Sequence, residues 1–116
     1  MKEKKITEIV SNLMLEKKAL DIKIIKVDKL TTLTDYFINC SSESDPQTRA
    51  IKNYIHSTLS SEYNLKPLHI EGFENLQWIL MDYATIVINI FNNVRQVRVL
   101  IADDMQNRPE MLVVQF

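Results

Sequence analysis

The sequence predicts an α/β fold, in which helices cover a mixed sheet of about five strands. The 116 residues alternate between segments of helical period and short β-branched runs, in the order helix, strand, strand, helix, strand, strand, strand. The link from the second strand through a helix to the third has the length of a βαβ unit, which predicts that these two strands are parallel. Since the sequence has neither internal repeats nor a linker, we expect residues 1–116 to form a single domain.

The first half of the chain predicts a helix and two strands. Residues 3–18 carry an apolar stripe on one side of a helix, with charged residues around it. Residues 21–27 are rich in β-branched side chains and predict the first strand, and residues 36–40 predict the second. The stripe of the helix consists of Ile6, Ile9, Val10, Leu13 and Met14.

The start of the second helix is the strongest local signal. Either Asp45 is the N-cap with Pro46 at the first helical position, or Ser44 is the N-cap and Gln47 completes a capping box. Both alternatives begin a helix near residue 46, and the apolar period continues to about residue 62. The side chains predicted to be buried are Ala50, Ile51, Tyr54, Ile55 and Leu59.

The second half predicts three further strands. Residues 66–71 form a short strand that Gly72 ends, and residues 77–81 and 85–91 form a hairpin around Asp82-Tyr83-Ala84. Residues 94–101 fit a short helix or a strand equally well, and residues 103–109 are typical of a polar turn. We expect the apolar segment 111–116 either to add an edge strand or to form a homodimer contact.

Composition excludes several classes of protein. Fourteen basic and fifteen acidic side chains leave a formal net charge of −1, which disfavours binding to DNA or another phosphate backbone. Cys40 is the only cysteine, so an internal disulfide and a cysteine-based zinc site are excluded. Apolar runs are too short to span a membrane, and the N-terminus is amphipathic rather than continuously apolar. We therefore expect a cytoplasmic protein without a membrane partner.

Catalytic and metal-binding patterns are missing from the sequence. His56 and His69 each lack a partner at metal-ligand spacing, so we expect neither a metal nor a cofactor. Ser41 and Ser42 precede a helix and offer a plausible anion site, but glycines are absent there and acidic residues follow, which favours helix capping. The pair also resembles the serine-bearing turn of nucleotidyltransferases, yet a carboxylate pair on a following strand is absent. A nucleotidyltransferase-like enzyme or nucleotide-binding domain using this turn stays as the alternative to a non-enzymatic protein.

Two motifs together resemble the ribosomal silencing factor family, the Iojap-related proteins of bacteria, mitochondria and chloroplasts. The resemblance extends from about residue 5 to residue 97. The first motif is Thr34-Asp35-Tyr36-Phe37-Ile38-Asn39-Cys40-Ser41 with Ser44-Asp45-Pro46-Gln47, and the second is Pro67-Leu68-His69-Ile70-Glu71-Gly72 with Trp78-Ile79-Leu80-Met81-Asp82-Tyr83, Phe91 and Val94-Arg95.

The resemblance implies both a fold and a function. The fold would be a nucleotidyltransferase-like sheet without the catalytic carboxylates. The function would be to bind the large ribosomal subunit through its fourteenth protein and to block joining of the small subunit by steric exclusion, without chemistry. The partner-binding residues, in the second motif, would be Trp78, Asp82, Tyr83 and Arg95. The loop and helix-cap residues, in and beside the first motif, would be Asp35, Ser41, Ser42, Ser44 and Asp45. Trp78 is interpreted either as a partly exposed anchor for a partner or as a core aromatic.

The chain departs from the family in three places. Ala84 replaces a glycine, which would strain the turn by about 1 kcal/mol if its φ is positive. Asn89 replaces a histidine. Residues 97–104 keep Leu100 but lack the aromatic residues and the glutamate that the family has after the arginine. A third hypothesis is a dimeric interaction module whose partner is unknown.

Overall fold

A computed structural model describes residues 3–95 and 112–115 of the chain. These residues form two α-helices, a single 3-10 turn and six β-strands. The elements are α1 (Glu3–Glu16), β1 (Leu20–Lys26), β2 (Tyr36–Ser42), α2 (Asp45–Tyr63), β3 (His69–Glu71), β4 (Trp78–Asp82), β5 (Ile86–Asn92), the 3-10 turn (Asn93–Arg95) and β6 (Leu112–Gln115).

The strands form one mixed sheet in the order β3-β4-β5-β2-β1-β6. The pair β2–β5 is parallel, and every other neighbouring pair is antiparallel. The mixed sheet confirms the predicted fold class, and strands β1 to β5 correspond to the five predicted strands. β6 comes from the C-terminal apolar segment and pairs with β1 at the edge of the sheet, which confirms the edge-strand alternative for that segment. Residues 103–109 lie outside the described residues, as does most of 94–101.

The connection from β2 through α2 leads to the far edge of the sheet. β3 has the same direction as β2, as predicted, but β4 and β5 lie between them. The place beside β2 is taken by β5, whose seven residues include Ile86, Ile88 and Ile90, all at most 1% exposed. β3 has only three residues, with His69 and Glu71 exposed, and such a short polar strand is suited to an edge.

Both helices pack on the same face of the sheet. Side chains of alternating strand positions form one buried cluster with the apolar stripes of α1 and α2. Ile51, Ile55 and Leu59 of α2 are fully buried, as predicted. Ala50 is exposed, so its predicted burial is wrong; it lies about 100° around the helix from Ile51, off the stripe that faces the sheet.

Gln47 connects the beginning of α2 to the end of α1. Its backbone N–H donates to the Ser44 hydroxyl over 3.1 Å, so Ser44 and not Asp45 is the N-cap. The Gln47 side chain accepts from the Glu43 N–H, a variant of the predicted capping box, and its amide nitrogen donates to the carbonyls of Lys17 and Lys18. α1 ends at Glu16, two residues earlier than predicted, and Lys18 lies in the left-handed region at φ 62°.

Ala84 in the β4–β5 turn has a φ of 71°, the positive value under which we expected an alanine in place of the family's glycine to be strained. We expect Ala84→Gly to raise the free energy of unfolding by up to about 1 kcal/mol, because glycine adopts this conformation without steric cost. Urea unfolding measures the change. The matched control is Ala50→Gly on the exposed side of α2, which should instead lower stability by about 1 kcal/mol. Equal destabilisation by both substitutions would contradict the strain at Ala84.

Candidate functional site

The sheet face opposite the helices carries a mixed aromatic and polar surface, which we call the outer face. Side chains alternate between the two faces along each strand, and every second one belongs to the buried cluster on the helix side. The residues in between therefore point to the outer face. Phe37, Leu80 and Val87 are half-buried there, so part of the apolar surface still contacts solvent. The outer face of β2 to β5 consists of Phe37, Asn39, Ser41, His69, Glu71, Trp78, Leu80, Asp82, Val87, Asn89 and Phe91.

Trp78 is half-buried at the start of β4 and lies outside the core cluster between sheet and helices. Its indole ring stacks on Phe91, its cross-strand neighbour, with ring centroids 5.7 Å apart and planes inclined by 30°. Its Nε1 donates a 2.9 Å hydrogen bond to Asn89 Oδ1, and Asn89 Nδ2 donates to Asn39 Oδ1 over 2.9 Å. Of the two interpretations of Trp78, the geometry favours the partly exposed aromatic.

A cleft of about 250 Å³ opens beside Trp78, where β3 ends and β4 begins. The loop that forms one wall begins at Gly72, whose φ is 82°, and an added Cβ there would lie 1.9 Å from the Trp78 carbonyl oxygen. The Leu76 N–H closes the loop by donating to the Gly72 carbonyl over 3.1 Å. The cleft therefore has a tightly packed backbone wall. It is lined by Glu71, Gly72, Asn75, Gln77, Trp78 and Leu80.

Two carboxylates flank the aromatic part of the outer face. Glu71 Oε2 lies 2.9 Å from His69 Nε2, and its side chain is 66% exposed. Asp82 Oδ2 lies 3.7 Å from His69 Nδ1, while Asp82 Oδ1 accepts the Ala84 N–H over 2.8 Å. Asp82, a predicted partner-binding residue, thus shapes the hairpin turn and remains partly accessible. Together these groups can stack on and hydrogen-bond a partner, and they do not include a paired nucleophile and base.

Tyr83 does not join Trp78 on the outer face. It follows Asp82, so its side chain points to the opposite side, where it is 9% exposed and belongs to the core cluster. Its hydroxyl is buried without a hydrogen-bond partner among the described residues, and desolvation raises the pKa of Tyr83 to about 12. Tyr83 therefore offers little surface to a partner, and its partner contact stays a prediction.

We expect Tyr83→Phe to keep or raise stability, by up to about 1 kcal/mol, because it removes a buried unsatisfied hydroxyl. The pKa of Tyr83 is higher in the folded protein than in the unfolded chain, so ionisation of Tyr83 favours unfolding. The free energy of unfolding is therefore unaffected by this group below about pH 10 and falls as the pH rises towards 12. Urea unfolding measures the free energy of unfolding at about pH 8 and at about pH 11. This free energy should fall less between the two pH values in Tyr83→Phe than in the wild type. An equal loss in both proteins would contradict the burial of this hydroxyl.

Ser41 and Ser42 end β2 instead of forming the predicted turn, which begins at Glu43. Consecutive strand residues point to opposite faces, so the two hydroxyls diverge. The Ser42 hydroxyl hydrogen-bonds the Thr48 hydroxyl of α2, whereas the Ser41 hydroxyl is buried on the other face. The two hydroxyls therefore do not converge on one anion, the alternative that the sequence already disfavoured against helix capping.

The remaining motif residues connect elements of the fold. Asp45 accepts a 2.8 Å hydrogen bond from Asn92 Nδ2, which ties the start of α2 to the end of β5. Asp35 precedes β2, and its backbone N–H donates to the Thr85 carbonyl, about 20 Å along the strand from the serines. Arg95 ends the 3-10 turn, and its side chain lies outside the described residues. The structure thus does not bring the predicted loop and cap residues into one site.

Sequence reasoning missed the polar layer beneath Trp78. Asn39 and Asn89 are 5% and 3% exposed, although each lies in a strand of mostly apolar residues. A primary amide in such a strand requires a hydrogen-bond partner, and that requirement is the signal that identifies both residues. Elsewhere, burial raises the pKa of the Cys40 thiol, consistent with an inert cysteine. The helices of the described residues are too short or too polar to cross a membrane.

Known proteins with similar sequences and structures identify the family. Residues 1–99 match the family described as "Ribosomal silencing factor during starvation". The ribosomal silencing factor RsfS of Bacillus subtilis is 29% identical over 92 residues, which cover 79% of this chain and 77% of that protein. The protein of the same name from Halalkalibacterium halodurans is 23% identical, over 79% of this chain and 78% of the relative.

Solved structures share the same fold. A crystal structure of a protein from Chromobacterium violaceum has a TM-score of 0.78 and 25% identity, covering 86% of this chain and 83% of that one. A crystal structure from Bacillus halodurans also has a TM-score of 0.78, with 20% identity over 87% of this chain and 93% of that one. Since the family match covers residues 1–99, this chain belongs to the ribosomal silencing factor family.

Proposed function

We propose that this protein binds the large ribosomal subunit in the cytoplasm through the subunit's fourteenth protein and blocks joining of the small subunit by steric exclusion. The observation that carries the proposal is the partly exposed Trp78, held on the outer face of the sheet between Phe91 and Asn89. A tryptophan in this position is the kind of residue that dominates the energy of protein interfaces. Membership of the silencing factor family supplies the ribosome as the target.

The charges around Trp78 fit a protein partner better than bare rRNA. Glu71 and Asp82 place two carboxylates beside the aromatic surface, where they would repel phosphates and attract basic side chains. The formal net charge of −1 gives the chain no positive field for a nucleic-acid backbone. We therefore place the contact on a ribosomal protein with basic side chains.

Co-sedimentation with isolated large subunits tests the proposal. We expect the protein in the large-subunit fraction, and we expect excess protein to reduce the fraction of joined ribosomes when small subunits are added. Arg49→Ala, on the exposed side of α2, should behave as the wild type. Unchanged joining together with no protein in the large-subunit peak would show that the assignment is wrong.

The competing function is nucleotide transfer or nucleotide binding at Ser41 and Ser42. Their hydroxyls point to opposite faces of the sheet, and Ser42 is bonded to Thr48, which counts against a shared phosphate site. Incorporation of a labelled nucleotide in the presence of magnesium, lost in Ser41→Ala, would favour the enzyme instead. The third hypothesis is a dimeric interaction module. It predicts a dimer in sedimentation velocity and no binding to the ribosome.

A further inference from the structure

Two buried asparagine side chains lie next to Trp78 on the outer face. Asn39 and Asn89 are opposite each other in the parallel pair β2–β5 and are 5% and 3% exposed. Burying a primary amide is unfavourable unless its donors and acceptor are hydrogen-bonded. The two residues therefore form a polar pair within an otherwise mostly apolar part of the sheet.

The hydrogen bonds of this pair have a defined direction. Asn89 Nδ2 donates to Asn39 Oδ1, so the Asn89 oxygen is turned towards the indole and accepts from Trp78 Nε1. The opposite orientation of the Asn89 amide would place its NH₂ group against the indole N–H, two donors facing each other. Asn39 thus selects the orientation of Asn89 that can hold Trp78.

We propose that Asn89 is a positioning residue that holds the Trp78 indole in the orientation in which it meets the partner; the inference rests on the proposed function. Asn89 contacts the edge of the indole and Phe91 contacts its face, so both torsions of the tryptophan side chain are restrained before binding. The indole N–H already donates to Asn89, so a partner that covers the ring does not leave a buried donor without an acceptor. Binding then avoids the entropic cost of ordering a large side chain.

Trp78 is the only tryptophan of the chain, so its indole N–H gives a single, assignable NMR signal. In the wild type we expect this N–H to exchange slowly with solvent although the ring is partly exposed. Asn89→Leu, of similar size, should shift the signal, speed its exchange and raise the dissociation constant for large subunits about threefold to tenfold. Asn89→His should retain slow exchange and binding at about pH 8, where a neutral imidazole can accept and donate as the amide does.

The control is Thr48→Val, which removes a buried hydroxyl on the helix side and should lower stability without changing the indole signal or the affinity. In a Trp78→Ala background, Asn89→Leu should cause no further loss of affinity, because the residue acts through the indole. A shifted indole signal with unchanged affinity would overturn the proposal and leave the proposed function standing. Absence of wild-type binding would overturn both.

Two measurements remain decisive if Asn89→Leu does not fold. The first is the wild-type exchange rate, since fast exchange of the indole N–H would by itself exclude the hydrogen bond to Asn89. The second is Asn39→Ala, which keeps Asn89 but removes the acceptor that orients it. This variant should weaken binding by a factor of about two to five, and unchanged affinity would overturn the proposal.

Discussion

Gly72→Ala should lower the free energy of unfolding by about 3 kcal/mol or more. This is the largest effect that we expect in the described fold from adding a single methyl group. Two independent penalties add at this position. The φ of 82° is unfavourable for a residue with a Cβ, and the new Cβ would lie 1.9 Å from the carbonyl oxygen of Trp78. That oxygen belongs to the backbone of β4, so relieving the clash requires moving a strand and not merely rotating a side chain. Urea unfolding at neutral pH measures the loss.

The control for Gly72→Ala is Glu74→Ala in the same loop, at an exposed position. It should change stability by no more than about 0.5 kcal/mol. If Gly72→Ala lowered the free energy of unfolding as little as Glu74→Ala, it would contradict the close approach of the loop to β4. It would also contradict the packing of the loop as a wall of the cleft beside Trp78.

Trp78→Ala should raise the dissociation constant for large ribosomal subunits about 30-fold or more, equivalent to about 2 kcal/mol. The protein should remain folded, because Trp78 is only half-buried and lies outside the cluster between the sheet and the helices. Loss of the stacking on Phe91 should cost about 1 kcal/mol of stability. Co-sedimentation titrations and thermal unfolding of the same samples separate the two effects.

Leu33→Ala is the matched control for Trp78→Ala. Leu33 is apolar and 86% exposed in the loop between β1 and β2, but it does not belong to the outer face. Its truncation should leave the affinity unchanged. A large loss with Leu33→Ala and none with Trp78→Ala would move the interface away from the outer face, to the end of the sheet that carries this loop.

Local sequence patterns predicted most elements of this fold because the interactions responsible are local. The start of α2 depends on Ser44, Pro46 and Gln47, three residues within a single turn. The stripe of α1 follows from the helical period alone, and the turn at Ala84 was predictable from the two strands around it. The two motifs likewise pointed to the family that the comparisons confirm.

Only the tertiary structure determined which of these elements lie side by side. Hydrophobic pattern and length gave β3 the right direction, but the position beside β2 went to β5, because a longer, more apolar strand buries more surface at the centre of the sheet. Strand register then separated residues that are adjacent in sequence. Ser41 and Ser42 point to opposite faces, and so do Asp82 and Tyr83.

The candidate site itself depends on contacts between distant parts of the chain. Asn39 and Asn89 are fifty residues apart, and Trp78 meets Asn89 only because β4 and β5 pair in one particular register. The sequence alone identified Trp78 as either a core aromatic or an interface aromatic, since its place at the start of a predicted strand fits both. Its position was decided by the sheet, which placed both helices on the other face and left the indole bonded at its edge and partly open to solvent.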